Sequence, residues 1–155
     1  TVAQAPLFVG VGGGTTTGPR VIQLAMMAEM QGAAGVVLNA PAPPSTVYDV
    51  ARITNTPVIA TVLTCDDELD EKIEAGASII NVAAGRRTPD VVQQIRQRHP
   101  SIPLLASGGS TDESMAETIV AGANALTWTP PNAQEMQRLM MMRYRGESTG
   151  DNMQH

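Results

Sequence analysis

Two interleaved series of chain breaks constrain this sequence more than any other feature. Three apolar runs open on proline: Pro6-Leu7-Phe8-Val9-Gly10, Pro57-Val58-Ile59-Ala60-Thr61 and Pro103-Leu104-Leu105-Ala106-Ser107. Their prolines lie 51 and 46 residues apart. Three others follow a Gly-Ala pair: Gly32-Ala33 leads to Gly35–Leu38, Gly76-Ala77 to Ser78–Val82, and Gly122-Ala123 to Asn124–Trp128. Those glycines lie 44 and 46 residues apart. Proline at the first residue of a strand gives up no ladder bond that it needed. Glycine just past a helix takes the left-handed conformation that closes the last turn. The chain therefore reads as a strand–helix–strand–helix unit of roughly 46 residues, present three times.

The stretches between the runs read as helices over Pro19–Gln31, Ser45–Ile53, Asp67–Ala75, Pro89–Arg98, Asp112–Ala121 and Asn132–Tyr144. Pro19 and Pro89 suit a first helical turn, and Ser45, Asp66 and Thr111 suit N-caps. Short, continuous apolar strands alternating with helices predict an α/β fold with a parallel sheet covered by helices. A doubly wound sheet and a β/α barrel both meet that description, and the two-strand repeat favours the barrel, where alternate strands fill alternate core layers. The expected fold is a TIM barrel, (β/α)8, of which six βα units are visible and an N-terminal quarter is lacking. Residues 1–144 form the barrel domain, strands three to eight, and 145–155 a polar C-terminal tail. The lacking quarter would bring the barrel to about 200 residues. An open sheet, or one completed by another chain, is the alternative.

Composition narrows the function classes. The 155 residues are 43% apolar, enough for a core, and only 16% charged. A net charge of −5 with 3% aromatics excludes a sequence-independent nucleic-acid binder. No apolar run reaches the roughly 18 residues of a membrane span. The lone Cys65 can make no internal disulfide, so a cytoplasmic protein is expected. No two His, Cys or carboxylate side chains share a ligand-like spacing, so neither metal nor cofactor is expected.

Ile102–Gly109 followed by Val120–Leu126 resembles strands seven and eight of phosphate-binding TIM barrels, where a strand ends in Gly-Gly and a Gly-Ala pair opens the final strand. Within that superfamily this last third is similar to the keto-deoxy-phosphogluconate aldolases. From Asn81 to Gly109 and through the following Ala-Gly-Ala strand it is also similar to the glycerol-responsive antiterminators, which sense a phosphorylated ligand. Gly10–Thr17 through Gly32–Leu38 to Pro41 resembles strands three and four of the dihydrodipicolinate synthase group. The resemblance implies a barrel binding a small anionic or phosphorylated metabolite. It departs from the aldolases at their Schiff-base lysine. The corresponding strand, Ser78–Val82, has none, and the only lysine, Lys72, lies within a helix and is expected to face away from any strand end. Imine chemistry needs a primary amine, so it is not expected unless a further segment supplies one.

In such folds functional groups sit where strands end and helices begin. The loop Gly10–Pro19 offers Gly12 and Gly13 with the hydroxyls of Thr15 and Thr16 as ligand contacts; read blandly, it is a flexible turn. Ser107, Gly108, Gly109 and Ser110 form the expected anion site, because a Gly-Gly strand end opens onto a helix amino end; otherwise this is a tight turn with a capped helix. Arg86 suits a carboxylate or phosphate, or is surface charge. Asn39 and Asn81 end two strands and face the mouth, or are amides satisfied by neighbouring backbone. Cys65 reads as a small core residue beside Asp66, with no histidine as its base: His99 ends a helix and His155 lies in the tail. The methionines read as core or interface filler. No catalytic residue is identified. The expected protein is an enzyme (lyase, isomerase or hydrolase), either homo-oligomeric or part of a longer chain, with a non-catalytic ligand-sensing barrel as the alternative.

Overall fold

The computed structural model describes residues 5–107, 111–127 and 132–144. Six strands, β1 (Phe8–Gly12), β2 (Gly35–Leu38), β3 (Val58–Val62), β4 (Ile79–Val82), β5 (Leu104–Ser107) and β6 (Ala125–Thr127), form one sheet in chain order. Every neighbouring pair is parallel. Six α-helices connect or follow them: α1 (Pro19–Met30), α2 (Pro44–Ile53), α3 (Asp67–Glu74), α4 (Thr88–Arg98), α5 (Asp112–Val120) and α6 (Ala133–Tyr144), with a 3-10 turn at Gly85–Arg87 before α4. With strands in sequential order, crossovers of the usual right hand put the helices on one face. The sheet curls as part of a barrel, as expected.

Alternate residues of each strand face the helices. Val36, Leu38, Val58, Ala60, Val62, Ile80, Val82, Leu104 and Ala106 are buried there against Val21, Ala25, Val47, Val50, Leu69, Val92 and Ile95. The intervening residues, among them Val37, Ile59, Thr61, Ile79, Asn81 and Leu105, face the concave side.

The glycines expected to end helices do so: Gly32, Gly76 and Gly122 all have φ between 80° and 115°, a region side chains resist. Asp66 and Thr111 cap α3 and α5 through the Leu69 and Ser114 amides. Ser45 is not a cap. Pro43 holds that position and Pro44 opens α2, because proline is already set in the helical φ and gives up no needed donor at the first position. β1 lies two residues later than expected, since its first ladder partner is Phe8, opposite Gly35, and a bulge between Gly10 and Gly12 carries it further.

β1 and β6 each have one strand neighbour. Next to β1 the apolar side chains Leu7, Phe8, Leu24, Met27 and Met30 are exposed, and Met136, Met140 and Met141 on α6 likewise. These methionines are therefore surface, not core. No helix among the described residues is long and apolar enough to cross a membrane.

Candidate functional site

The carboxyl ends of β1 and β2 are tied together through Asn39. Its backbone amide donates to the Gly12 carbonyl at 2.8 Å, and its Nδ2 donates to the Gly13 carbonyl at 3.1 Å. Gly13 has φ 82°, and a Cβ there would lie 2.6 Å from the Asn39 carbonyl oxygen, so no other residue fits. The Gly13 amide closes the turn by donating to the Thr16 carbonyl at 3.1 Å. Gly12 is required for a different reason: a Cβ would sit 2.5 Å from Val21 Cγ2 on α1.

Beyond this turn lies a cavity of about 280 Å³, walled by Gly13, Gly14 and Thr16–Gly18 on one side and by Pro41–Pro43 and Thr46 on the other. The amino ends of α1 and α2 both border it. Neither has a side-chain cap, and neither has an acidic residue in its first turn. By contrast α3 and α5 begin with side-chain caps and two or more carboxylates. The positive ends of two helix dipoles thus border a space whose lining carries no charge, while the Val21 and Thr46 amides donate to the Gly18 and Pro43 carbonyls at 3.0 Å. Such a space suits an anion.

Of the residues singled out by sequence, Gly12, Gly13, Thr16 and Asn39 come together here. Thr15 is exposed and does not line the cavity. Asn39 uses its amide on the backbone, the bland reading of the two offered above. Asn81 is elsewhere, on the concave face: its Nδ2 donates to Thr61 Oγ1 at 3.2 Å. Its Oδ1 is buried without a partner. Arg86 is exposed at the end of β4, with no hydrogen bond or ion pair among the described residues. Ser107 ends β5 half-buried, its Oγ 3.4 Å from Thr127 Oγ1. Gly108, Gly109 and Ser110 lie outside the described residues, as do the 1–4 and 145–155 termini. Cys65 is free and half-buried against the core.

Lys72 corrects an expectation. It does not face away from the strand ends. It is 2% exposed, its Nζ donates to the Ala40 carbonyl at 3.0 Å just after β2, and it pairs with Glu68 at 2.8 Å. It borders a second space of about 230 Å³ at the ends of β2 and β3. The signal was present in the sequence: Leu69, Lys72 and Ile73 follow the spacing of a buried helix stripe. Sequence reasoning also missed Arg96, whose guanidinium donates to the carbonyls of Pro100, Ile102 and Gly122 and to Asn124 Oδ1. His99 pairs with Asp70 at 2.7 Å, and Arg98 pairs with the same carboxylate. Among the described residues, no cluster of three or more His, Cys, Asp or Glu side chains is arranged to hold a metal ion.

No protein-family model and no curated protein matches the sequence. Solved structures match in fold. A candidate phosphonomutase from Burkholderia cenocepacia superposes with a TM-score of 0.69 at 18% identity, covering 93% of this chain and 70% of its own. A mandelate oxidase gives 0.65 at 14% identity, over 79% of this chain and 49% of its own. FabK from Thermotoga maritima gives 0.62 at 21%, over 80% and 43%. The chain thus spans less than half of the latter two. These neighbours are TIM-barrel enzymes, and at such identities they establish the fold alone. The narrower resemblance to the dihydrodipicolinate synthase and keto-deoxy-phosphogluconate groups is not supported: the neighbours belong to other TIM-barrel groups, the phosphonomutase type and flavin-dependent oxidases.

Proposed function

We propose that this chain is the larger part of a cytoplasmic TIM-barrel enzyme that binds a small anionic, phosphorylated metabolite at the carboxyl ends of its strands. One observation carries the reading: two helix amino ends, without caps or acidic residues, border one uncharged cavity beside the Gly12–Thr17 turn. Phosphate there would take the loop amides of Gly14, Thr16 and Thr17 and the hydroxyls of Thr16, Thr17 and Thr46, at the positive ends of two helix dipoles. The metabolite's other polar groups would meet Arg86 and Ser107 on the same edge of the sheet. Lyase, isomerase and hydrolase are the reaction classes proposed, and no titratable side chain of the cavity lining selects among them.

A non-catalytic, ligand-sensing barrel is the second reading. It is favoured by a cavity lining without a titratable side chain. Calorimetric titration with inorganic phosphate and a panel of phosphorylated metabolites tests the binding, and mass spectrometry of the same mixtures separates the readings. Turnover supports the enzyme, saturable binding without turnover supports the sensor, and no binding contradicts both.

We also propose that the free edges of β1 and β6 are covered in the working protein, by further strand–helix units of the same polypeptide or by a second copy. The apolar side chains exposed beside β1 and on α6 support this.

A further inference from the structure

We infer that Lys72 is a positioning residue for the anion cavity, holding residues 39–43 in the shape that makes one of its walls. The inference rests on the reading of that cavity as an anion site.

The argument starts from the loop's own sequence, Asn39-Ala40-Pro41-Ala42-Pro43-Pro44. Three of its residues are prolines and carry no N–H. The loop therefore has few donors with which to anchor itself. The Ala42 amide is spent on the Asn39 carbonyl at 2.9 Å. Asn39 holds the loop's start through its own N–H groups, and the next carbonyl, that of Ala40, takes its donor from another element. Lys72 is that donor for Ala40, at 3.0 Å.

The placement of the lysine is otherwise unexplained. A pair with Glu68, itself 54% exposed, forms as well at the surface of α3. Burying an ammonium is costly unless its donors are used, and here the buried partner is the Ala40 carbonyl. Two adjacent residues then link the cavity's two walls to the next helix. Asn39 reaches back to Gly12 and Gly13, and Ala40 reaches forward to Lys72. Pro41 borders both the anion cavity and the space beside Lys72, so a shift of the Ala40 carbonyl is felt directly at the site.

The test compares wild type with Lys72→Met, which keeps the apolar stem and removes the donor, and with Glu68→Gln, which leaves the Ala40 bond in place. Three quantities are read: the dissociation constant for inorganic phosphate, hydrogen exchange at the Ala42 amide, and the urea midpoint. Expected for K72M is a phosphate constant raised about tenfold, since small misplacements cost that much or more, with faster exchange at Ala42. E68Q should match wild type in both. A K72M protein with a lowered urea midpoint but wild-type phosphate binding and Ala42 exchange would overturn the inference. If K72M does not fold, saturating wild type with phosphate must move the Lys72 side-chain amine and Ala40 carbonyl resonances, and unmoved signals overturn it. If wild type binds no phosphate, the site reading fails, while Ala42 exchange in K72M still decides whether Lys72 holds the loop.

Discussion

Asn39 grips Gly13 by its carbonyl at 3.1 Å, while the Asn39 carbonyl oxygen occupies the place where a Gly13 side chain would begin. The two residues are 26 positions apart, each just past the end of one of two adjacent parallel strands, and each dictates the other. Gly13→Ala would meet both a φ of 82° and a 2.6 Å contact. We expect it to cost about 2–3 kcal/mol in urea unfolding. Asn39→Ala should cost about 1 kcal/mol, the worth of an ordinary hydrogen bond, and weaken phosphate binding.

Arg96 makes a second prediction. Its guanidinium links α4 to the 100–102 segment and to the turn before β6, and Asn124 Oδ1, which it holds at 2.9 Å, also accepts the Leu104 amide at 2.8 Å. Arg96→Ala would leave three carbonyls without this donor. A loss of about 2–3 kcal/mol is expected, given charged hydrogen bonds of roughly 1.5–3 kcal/mol each. Arg96→Lys should recover only part, because an ammonium cannot reproduce the planar fork. Chemical denaturation of both variants measures this.

How much of this was legible in the sequence differs by residue. β2 was readable to its exact ends, because Gly35 and Leu38 are bounded by a helix-ending glycine and by Asn39. The start of α2 was misplaced by one residue, since Ser45 is a fitting cap by type but two prolines ahead of it had already set the helix. Gly13 and Asn39 were each marked, yet not their bond, which depends on strand register. Lys72 was misjudged because charge was weighed over its place in the Leu69–Ile73 stripe. Arg96 carries no local mark: two of its partners, Gly122 and Asn124, lie 26 and 28 residues away and reach it only when β5 and β6 pair.

Asp66 makes stability depend on acid. The Thr64 hydroxyl donates to its carboxylate at 2.5 Å. That bond, opposed by desolvation and aided by the Leu69 and Glu68 amides, holds its pKa below the ordinary value. A depressed pKa contributes stability above the unfolded value, and this is lost as pH falls through the folded one. Asp66→Asn should therefore flatten the acid limb of a stability–pH curve below about pH 4, while leaving the neutral region nearly level. An unchanged acid limb would show the cap to be electrostatically idle.

The free edges of β1 and β6 predict association. Sedimentation of the purified 155-residue chain should give a mass above 16.3 kDa, or the natural polypeptide should prove longer and supply the covering strands. A stable 16.3 kDa monomer, with the exposed Met27 and Met30 left bare, would contradict this.

The central claim is that an anion binds where the turn after β1 meets the amino ends of α1 and α2. Titrating ¹⁵N-labelled protein with inorganic phosphate tests it residue by residue. The account predicts saturable shifts at the amides of Gly13, Gly14, Thr16 and Thr46, with one shared dissociation constant. Shifts confined to other strand ends, or none at these four residues, would contradict it.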